Sequence, residues 1–395
     1  MKKIRIVHIE DRFHPDMGYQ LNYTAKYHDK SIDMHIITSN SLSLWENKSE
    51  RINIEKKDVL FKKNTGVSIH RLPVLYEKKN GYNLIMKGLL KKLYRLKPDI
   101  VFVHSIESYT SLNLLSRKKL YQDFLLTCDT HTLYNQFRNS VFEKLYFLFY
   151  QKFVFPKINE HKIPVFYTAN ENKEILIKQY GILKELIYPY PIGSDNSVFF
   201  KNKEAGNNLR AKLNINQNTK IILYTGKFNY PKSPHLLLDA IQKIKKDLPD
   251  FKVVMIGAKN YEYFNTFFDK PKYEDLPLLI LEPVKVNELN AYYNMADIAV
   301  FPKENTLSAL DCQLCGLPVI MEEDDTNKER LKKGGICYKP NNLDDLSNKI
   351  LRLLTDEQLY HNLSIEGLQF VEANYSYKKI IKNTENVYRY FLSAK

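Results

Sequence analysis

Phe301-Pro-Lys-Glu-Asn-Thr-Leu-Ser-Ala-Leu-Asp-Cys-Gln-Leu-Cys-Gly-Leu-Pro-Val-Ile320 decides how the rest of the chain is read. An apolar run, Asp297-Ile-Ala-Val-Phe301, leads into it as a buried strand. A short polar turn follows, and then a helix that stops at Gly316. This order sets small polar and acidic residues at a helix start, where unbonded N–H groups and the helix dipole favour a phosphate. Asn305, Thr306, Leu307 and Ser308 form that start. Glu304, Ser308 and Asp311 fall at i, i+4 and i+7 and so share one helical face. Leu307, Leu310 and Leu314 are left for the core side. A carboxylate one turn into the helix suits sugar or ribose hydroxyls, and an ordinary solvated face is the plain alternative. Cys312 and Cys315 lie on the same helix, with no second ligand pair to make a metal site, and read as buried thiols.

Outward from this stretch, short β-branched runs alternate with helical patterns. In the first half the expected strands are Ile4–Ile9, Met34–Thr38, Ile100–His104, Phe124–Thr127 and Val165–Thr168. In the second they are Lys220–Tyr224, Lys252–Ile256, Leu278–Leu281, Ile298–Phe301, Pro318–Ile320 and Gly335–Tyr338. Helical patterns such as Pro234–Lys246 and Asn287–Asn294 lie between them. Such alternation predicts α/β architecture with parallel sheets, and ligands beyond the carboxyl ends of the strands. Prolines and a glycine in Tyr188-Pro-Tyr-Pro-Ile-Gly193 break the pattern. The expected domains are 1–188 and 189–375, with a final helix over 376–395. A length of 395 residues agrees with two α/β domains.

Bulk properties narrow the classes. Hydrophobic residues at 44% and charged residues at 26% are globular values. No apolar run approaches the roughly 20 residues that span a bilayer. Arg5, Glu10 and Asp11 interrupt the N-terminal apolar run, which reads as a first strand and gives a cytoplasmic expectation. Four cysteines fit a reducing compartment. A net charge of +14 points to anionic partners. Nucleic acid is not among those expected, because no helix-turn-helix, zinc or ribonucleoprotein signature occurs. Thirteen glycines and no Gly-x-Gly-x-x-Gly weigh against a nicotinamide or flavin enzyme.

Three further segments bear chemistry. Tyr224-Thr-Gly-Lys-Phe-Asn-Tyr-Pro-Lys-Ser-Pro-His235 ends a strand, supplies Lys227 and Lys232, and starts a helix at Ser233-Pro234. Two cations beside a helix start make a diphosphate site; two surface lysines are the plain alternative. Gly18, after the first strand, permits close backbone approach to a ligand. Leu125-Leu-Thr-Cys-Asp-Thr-His131 ends a buried strand with two ionisable groups, and His104-Ser105 is a fainter signal of the same kind.

Together these segments resemble the GT-B glycosyltransferases, and among them glycosyltransferase family 4. The likeness runs through Pro15–Tyr23, Pro98–His104, Asp129-Thr-His131, Pro191–Asp195, Thr225-Gly-Lys227 with Lys232, Tyr292–Pro302, Asp311 with Cys315-Gly-Leu-Pro318, and Gly335–Tyr338. The resemblance implies two Rossmann-like domains facing across a cleft, with the final helix returning to the N-terminal domain. It implies a nucleoside-diphosphate-sugar donor, transfer with retained anomeric configuration, and no cofactor or obligatory metal. Lys227 and Lys232 match the pair that neutralises the donor diphosphate, Asp311 the ribose-binding member of a Glu-x7-Glu motif, His131 the histidine at the donor sugar, and Gly18 the phosphate-facing glycine. Base contacts fall around Pro283-Val284. Eight residues before Asp311 stands Lys303 where the motif has its first glutamate, with Glu304 one place late. Glu304 is then expected to serve through a shifted turn, or Asn305, Thr306 and Ser308 to read the sugar hydroxyls.

Two basic, apolar stretches in the N-terminal half, 81–97 and 142–155, are expected to meet an anionic membrane interface. With them go a glycan or lipid-linked acceptor, a role in cell-envelope polysaccharide assembly, and peripheral placement on the inner face of the membrane. The rival readings are a non-catalytic GT-B subunit serving a partner transferase and a GT-B-fold nucleotide-sugar epimerase.

Overall fold

A computed structural model describes residues 3–41, 53–78, 83–132, 141–268 and 271–394, without the side chains of residues 118, 142 and 143. The chain forms two compact units, residues 1–192 with 377–395, and residues 193–376. The division falls a few residues after the Tyr188-Pro189 break, because Tyr190 is buried in the first unit and Gln20 Nε2 donates to its carbonyl at 2.6 Å.

In the first unit, β1 (Ile4–Ile9), β2 (Ile32–Ser39), β3 (Ser68–Leu72), β4 (Val74–Glu77), β5 (Leu84–Met86), β6 (Ile100–Val103), β7 (Leu125–Thr130), β8 (Val165–Tyr167) and β9 (Ile187–Pro189) follow in sequence. Seven make a parallel sheet in the order β3-β2-β1-β6-β7-β8-β9, and β4 pairs with β5 as an antiparallel ribbon. In the second unit, β10 (Lys220–Thr225), β11 (Phe251–Ile256), β12 (Leu278–Leu281), β13 (Ile298–Phe301), β14 (Val319–Glu322) and β15 (Gly335–Tyr338) form a parallel sheet in the order β12-β11-β10-β13-β14-β15. Central strands such as β6 (IVFV) and β13 (IAVF) are buried throughout, as a sheet covered on both faces requires. The edge strand β3, partly buried with mixed residues, the mostly exposed β4 and the three-residue β5, apolar but too short to show alternation, were not legible as strands.

Both sheets reverse their strand order once. The reversals lie between β1 and β6 in the first unit and between β10 and β13 in the second. Chain leaving the two strands at such a point diverges to opposite sides and leaves a crevice, which is where open α/β sheets hold ligands. The segments around Lys227 and Lys232 and around Glu304–Asp311 leave the two strands of the second reversal.

The last helix, Tyr377–Ser393, belongs to the first unit. It buries Tyr377, Ile380, Ile381, Thr384 and Tyr388, one helical face, with Tyr377 stacked on Tyr23 at 4.0 Å. The stretch 81–97 is not one amphipathic helix. Residues 81 and 82 lie outside the described residues, Leu84–Met86 is β5, and the helix Leu89–Leu96 turns Leu89 and Leu93 into the core of its own unit. Its apolar face is therefore occupied. Among the described residues no helix is long and apolar enough to cross a membrane.

Candidate functional site

The second unit builds a site around two loops. After β10, Gly226 and Gly257 pass so closely that a Cβ on Gly257 would stand 1.7 Å from the Gly226 carbonyl oxygen. Only glycine allows the two strand ends to converge there. Lys227 follows and is exposed, with no ionic partner among the described residues. Asn229 Oδ1 accepts from the Lys232 backbone N–H at 3.1 Å and shapes the loop ahead of the helix His235–Ile244. Pro234 caps that helix, and the Ser233 hydroxyl donates to the Tyr230 carbonyl at 2.6 Å instead of capping.

The loop after β13 departs from the helical-face expectation. The helix begins at Ser308 and is short, Ser308–Leu314. Glu304 precedes it in left-handed backbone with φ 43°, so it does not share a helical face with Ser308 and Asp311. The N–H groups of Asn305, Thr306 and Leu307 have no partner among the described residues, so their hydrogens are available to an anion. Ser308 is engaged with the buried Tyr293 hydroxyl, which also meets Thr225 Oγ1 at 3.2 Å. This contact ties the start of the helix to β10 through Tyr293. Val284 is partly buried against the unit's core. Cys312 and Cys315 are buried, with Cys315 Sγ donating to Asn290 Oδ1 at 3.1 Å.

Lys232 joins the two loops. Its Nζ lies 3.0 Å from Glu304 Oε2 and donates to the Asn305 carbonyl at 2.7 Å. Lys303, at the place of the motif's first glutamate, turns away: it pairs with Glu322 at the end of β14 and donates to Asn341 Oδ1 at 2.6 Å. Asp311 accepts from the Ser194 hydroxyl at 2.5 Å. Burial raises its carboxyl to about 7; the Ser194 bond opposes that rise and Asp195 adds to it. A carboxyl poised there can both accept from and donate to a vicinal diol.

The first unit carries its own cluster at the β1–β6 reversal, formed by residues that sequence reasoning undervalued. Asp129, at the end of β7 and 0% exposed, accepts from His104 Nδ1 at 2.7 Å and from the Ser105 N–H at 2.7 Å. His131 Nε2 lies 3.5 Å from the same carboxylate, with its side chain 45% exposed. His104 Nε2 meets His8 Nδ1 at 3.1 Å, and Glu10 Oε2 stands 4.0 Å from His104 Nδ1. Against burial, the imidazoles of His104 and His131 hold the Asp129 carboxyl well below the usual range. Burial also opposes charge on both histidines, yet Asp129 lifts them above the ordinary value. Burial pushes Glu10 up to about 7. Burial, followed by repulsion from His104, keeps His8 neutral. Gly18 sits in a turn with φ 68°, and a Cβ there would meet only the Tyr23 hydroxyl at 3.8 Å. The turn's left-handed conformation requires glycine; crowding does not.

Comparison with known proteins places this geometry. Residues 206–370 match the family model described as glycosyl transferases group 1. The spore coat protein SA of Bacillus subtilis is 24% identical over 199 residues, 47% of this chain and 52% of that protein. A D-inositol 3-phosphate glycosyltransferase of Geodermatophilus obscurus is 30% identical over 169 residues, 39% of this chain and 36% of that protein. The matches thus span about half or less of these relatives' lengths. The crystal structure of Anabaena Alr3699/HepE in complex with UDP and glucose superposes with a TM-score of 0.64 at 13% identity, covering 98% of this chain and 99% of that one. At that identity the likeness shows the fold, which is GT-B.

Proposed function

We propose that this chain, whose residues 206–370 are a glycosyl transferases group 1 domain in a GT-B fold, moves a sugar from a nucleoside diphosphate to a glycan or lipid-linked acceptor. The observation that carries the reading is that Lys232 bridges the loops after β10 and β13 at the strand-order reversal, with Lys227 on the first loop and the free N–H groups of 305–307 and Asp311 on the second loop and its helix. As the anomeric C–O bond to the phosphate breaks, charge grows on the diphosphate. Fixed cations and N–H groups stabilise that charge more than they stabilise the intact donor. Two ammonium groups supply the counter-charge, so the reading includes no metal. Asp311 holds the ribose, His131 orients the sugar, and the acceptor oxygen bonds to the anomeric carbon on the face the phosphate leaves. Its proton passes to a phosphate oxygen, and configuration is retained. Gly18 lets the chain after β1 approach the bound donor or acceptor closely, and the base is read by backbone around Val284.

The glycosyltransferase name of one relative and the UDP and glucose bound in one structural neighbour support the donor class. The spore-coat name of another relative suits a cell-envelope product. Calorimetry against UDP- and GDP-sugars is expected to find one donor that binds in the micromolar range and is turned over. Failure of every nucleotide sugar to bind sinks the reading. The single observation on the side of a non-catalytic subunit is Lys303, which turns to Glu322 and Asn341 where a glutamate was expected. Donor hydrolysis or transfer by the isolated chain separates the two.

Peripheral membrane contact belongs to the same reading and rests on the helix Val141–Phe149 and the π-helical turn Tyr150–Val154. Val141, Leu145, Leu148, Phe149 and Phe153 are exposed there, while Tyr150 and Val154 face inward. With Lys144 and Lys152 beside them, these side chains suit an anionic headgroup layer on the inner face of the membrane. Replacing Leu145, Leu148, Phe149 and Phe153 together by serine is expected to abolish sedimentation with phosphatidylglycerol vesicles without lowering the melting temperature. Unchanged sedimentation overturns the membrane assignment.

A further inference from the structure

The ammonium of Lys232 is already engaged. Of its three N–H bonds, two meet oxygens at bonding distance, Glu304 Oε2 at 3.0 Å and the Asn305 carbonyl at 2.7 Å, with the Glu304 carbonyl further off at 3.5 Å. Lys227, the other cation of the pair, has no such partner among the described residues. Ser233, next to Lys232, and Glu304 itself hold left-handed backbone with φ 42° and 43° although neither is glycine. Non-glycine residues keep such angles where surrounding contacts impose them, and they concentrate at sites that switch. The Glu304 carboxylate is not trapped, since its side chain is 52% exposed against 21% for Lys232. One charged bond therefore holds it, and its partner is the ammonium that the reading above gives to the donor phosphate.

We propose that the Glu304 carboxylate is a built-in substitute for the donor diphosphate: it keeps Lys232 aimed into the site, yields that ammonium to the incoming phosphate, and on release accepts a hydroxyl of the donor sugar. This deepens the reading above and rests on Lys232 as a diphosphate cation. Lys227 is the free anchor that meets the diphosphate first. The exchange replaces a single carboxylate by a more highly charged group with more acceptor oxygens, so it runs forward when donor arrives. It also accounts for a glutamate one place late in the sequence: from position 304 the carboxylate reaches Lys232, whereas the side chain at 303 leads to Glu322 and Asn341.

An internal competitor has a signature that ordinary binding residues lack. Removing it tightens the diphosphate while removing the hydroxyl acceptor slows transfer. The test is calorimetry of inorganic pyrophosphate, a base-free diphosphate, with the full chain and its Glu304→Gln and Lys232→Met variants, alongside turnover of the identified donor. Glu304→Gln is expected to bind pyrophosphate about 3- to 10-fold tighter than the parent and to lose at least 10-fold in kcat. Equal or weaker pyrophosphate binding by Glu304→Gln overturns the exchange. If Lys232→Met binds pyrophosphate as well as the parent does, the diphosphate role of Lys232 itself has failed, and the exchange with it. A Glu304→Asp variant that restores kcat but not the parent's affinity fits the exchange, because the shorter carboxylate grips Lys232 less well.

Discussion

Replacing Lys232 by alanine lowers kcat about 100- to 1,000-fold, the loss that follows removal of one fixed donor to a developing oxyanion. Lys232 carries this weight because its side chain is only 21% exposed and is held by the Glu304 and Asn305 oxygens at the strand-order reversal. It is aimed before the donor arrives, so little reorganisation opposes the reaction. Lys227 is exposed, where solvent weakens ionic interactions, and alanine there costs only about fivefold, the roughly 1 kcal/mol of an exposed ion pair. Steady-state rates with saturating donor distinguish the two. A Lys232→Ala chain within threefold of the parent removes charge stabilisation from the mechanism.

The second large effect is on stability. Asp129→Ala leaves His104 and His131 without the carboxylate that lifts them, and loss of one partner from a buried charged group costs about 3–5 kcal/mol. Chemical denaturation of the parent and the variant measures this, with Asp129→Asn as the milder change. The pH dependence follows from the signs of the shifts. Asp129 is held below its ordinary value, so its contribution is complete above the carboxylate range and disappears as pH falls through its folded value. His104 and His131 are raised, so theirs is complete below about 6.5 and disappears as pH rises through the folded values. Glu10 is raised by burial from 4.5 to about 7, and its contribution likewise disappears as pH climbs through that interval. The side chain is 35% exposed, so after screening the effect is about 1–2 kcal/mol. His8, held neutral by burial, opposes these raised groups, because it favours the higher pH. Glu10's own share is therefore read by difference: Glu10→Gln is expected to lose less stability than the parent between pH 5.5 and pH 8. Parallel pH profiles for parent and variant contradict this account of Glu10.

Much of the architecture was legible in local pattern. Continuous apolar runs marked β6 and β13, and predominantly apolar, β-branched ones marked β1, β10 and β11, because a sheet covered on both faces admits few polar residues. Edge strand β3 and the exposed β4 escaped for the opposite reason, since strands open to solvent carry mixed residues, and β5 escaped because three residues show no pattern. The leucines of 89–96 showed an apolar face, but periodicity does not say what covers it, and here the unit's own core does.

At the candidate site, the sequence alone determined the kinds of group present and their places at strand ends: Lys227 and Lys232 after one strand, Glu304 and Asp311 after another, Asp129 and His131 after a third. Those assignments depend on short-range pattern, which a strand followed by a turn and a helix start carries within a dozen residues. Only the tertiary structure decided the partners. Glu304 reaches Lys232 because β10 and β13 are neighbours, Lys303 turns to Glu322 because β14 lies beside β13, and Asp129 gathers His104 because β6 lies beside β7, as His104 in turn meets His8 because β1 lies beside β6. Strand order brings together residues up to about a hundred positions apart, as in His8 and His104. No local periodicity encodes that neighbourhood, since it is set by which crossover returns the chain to which side of the sheet.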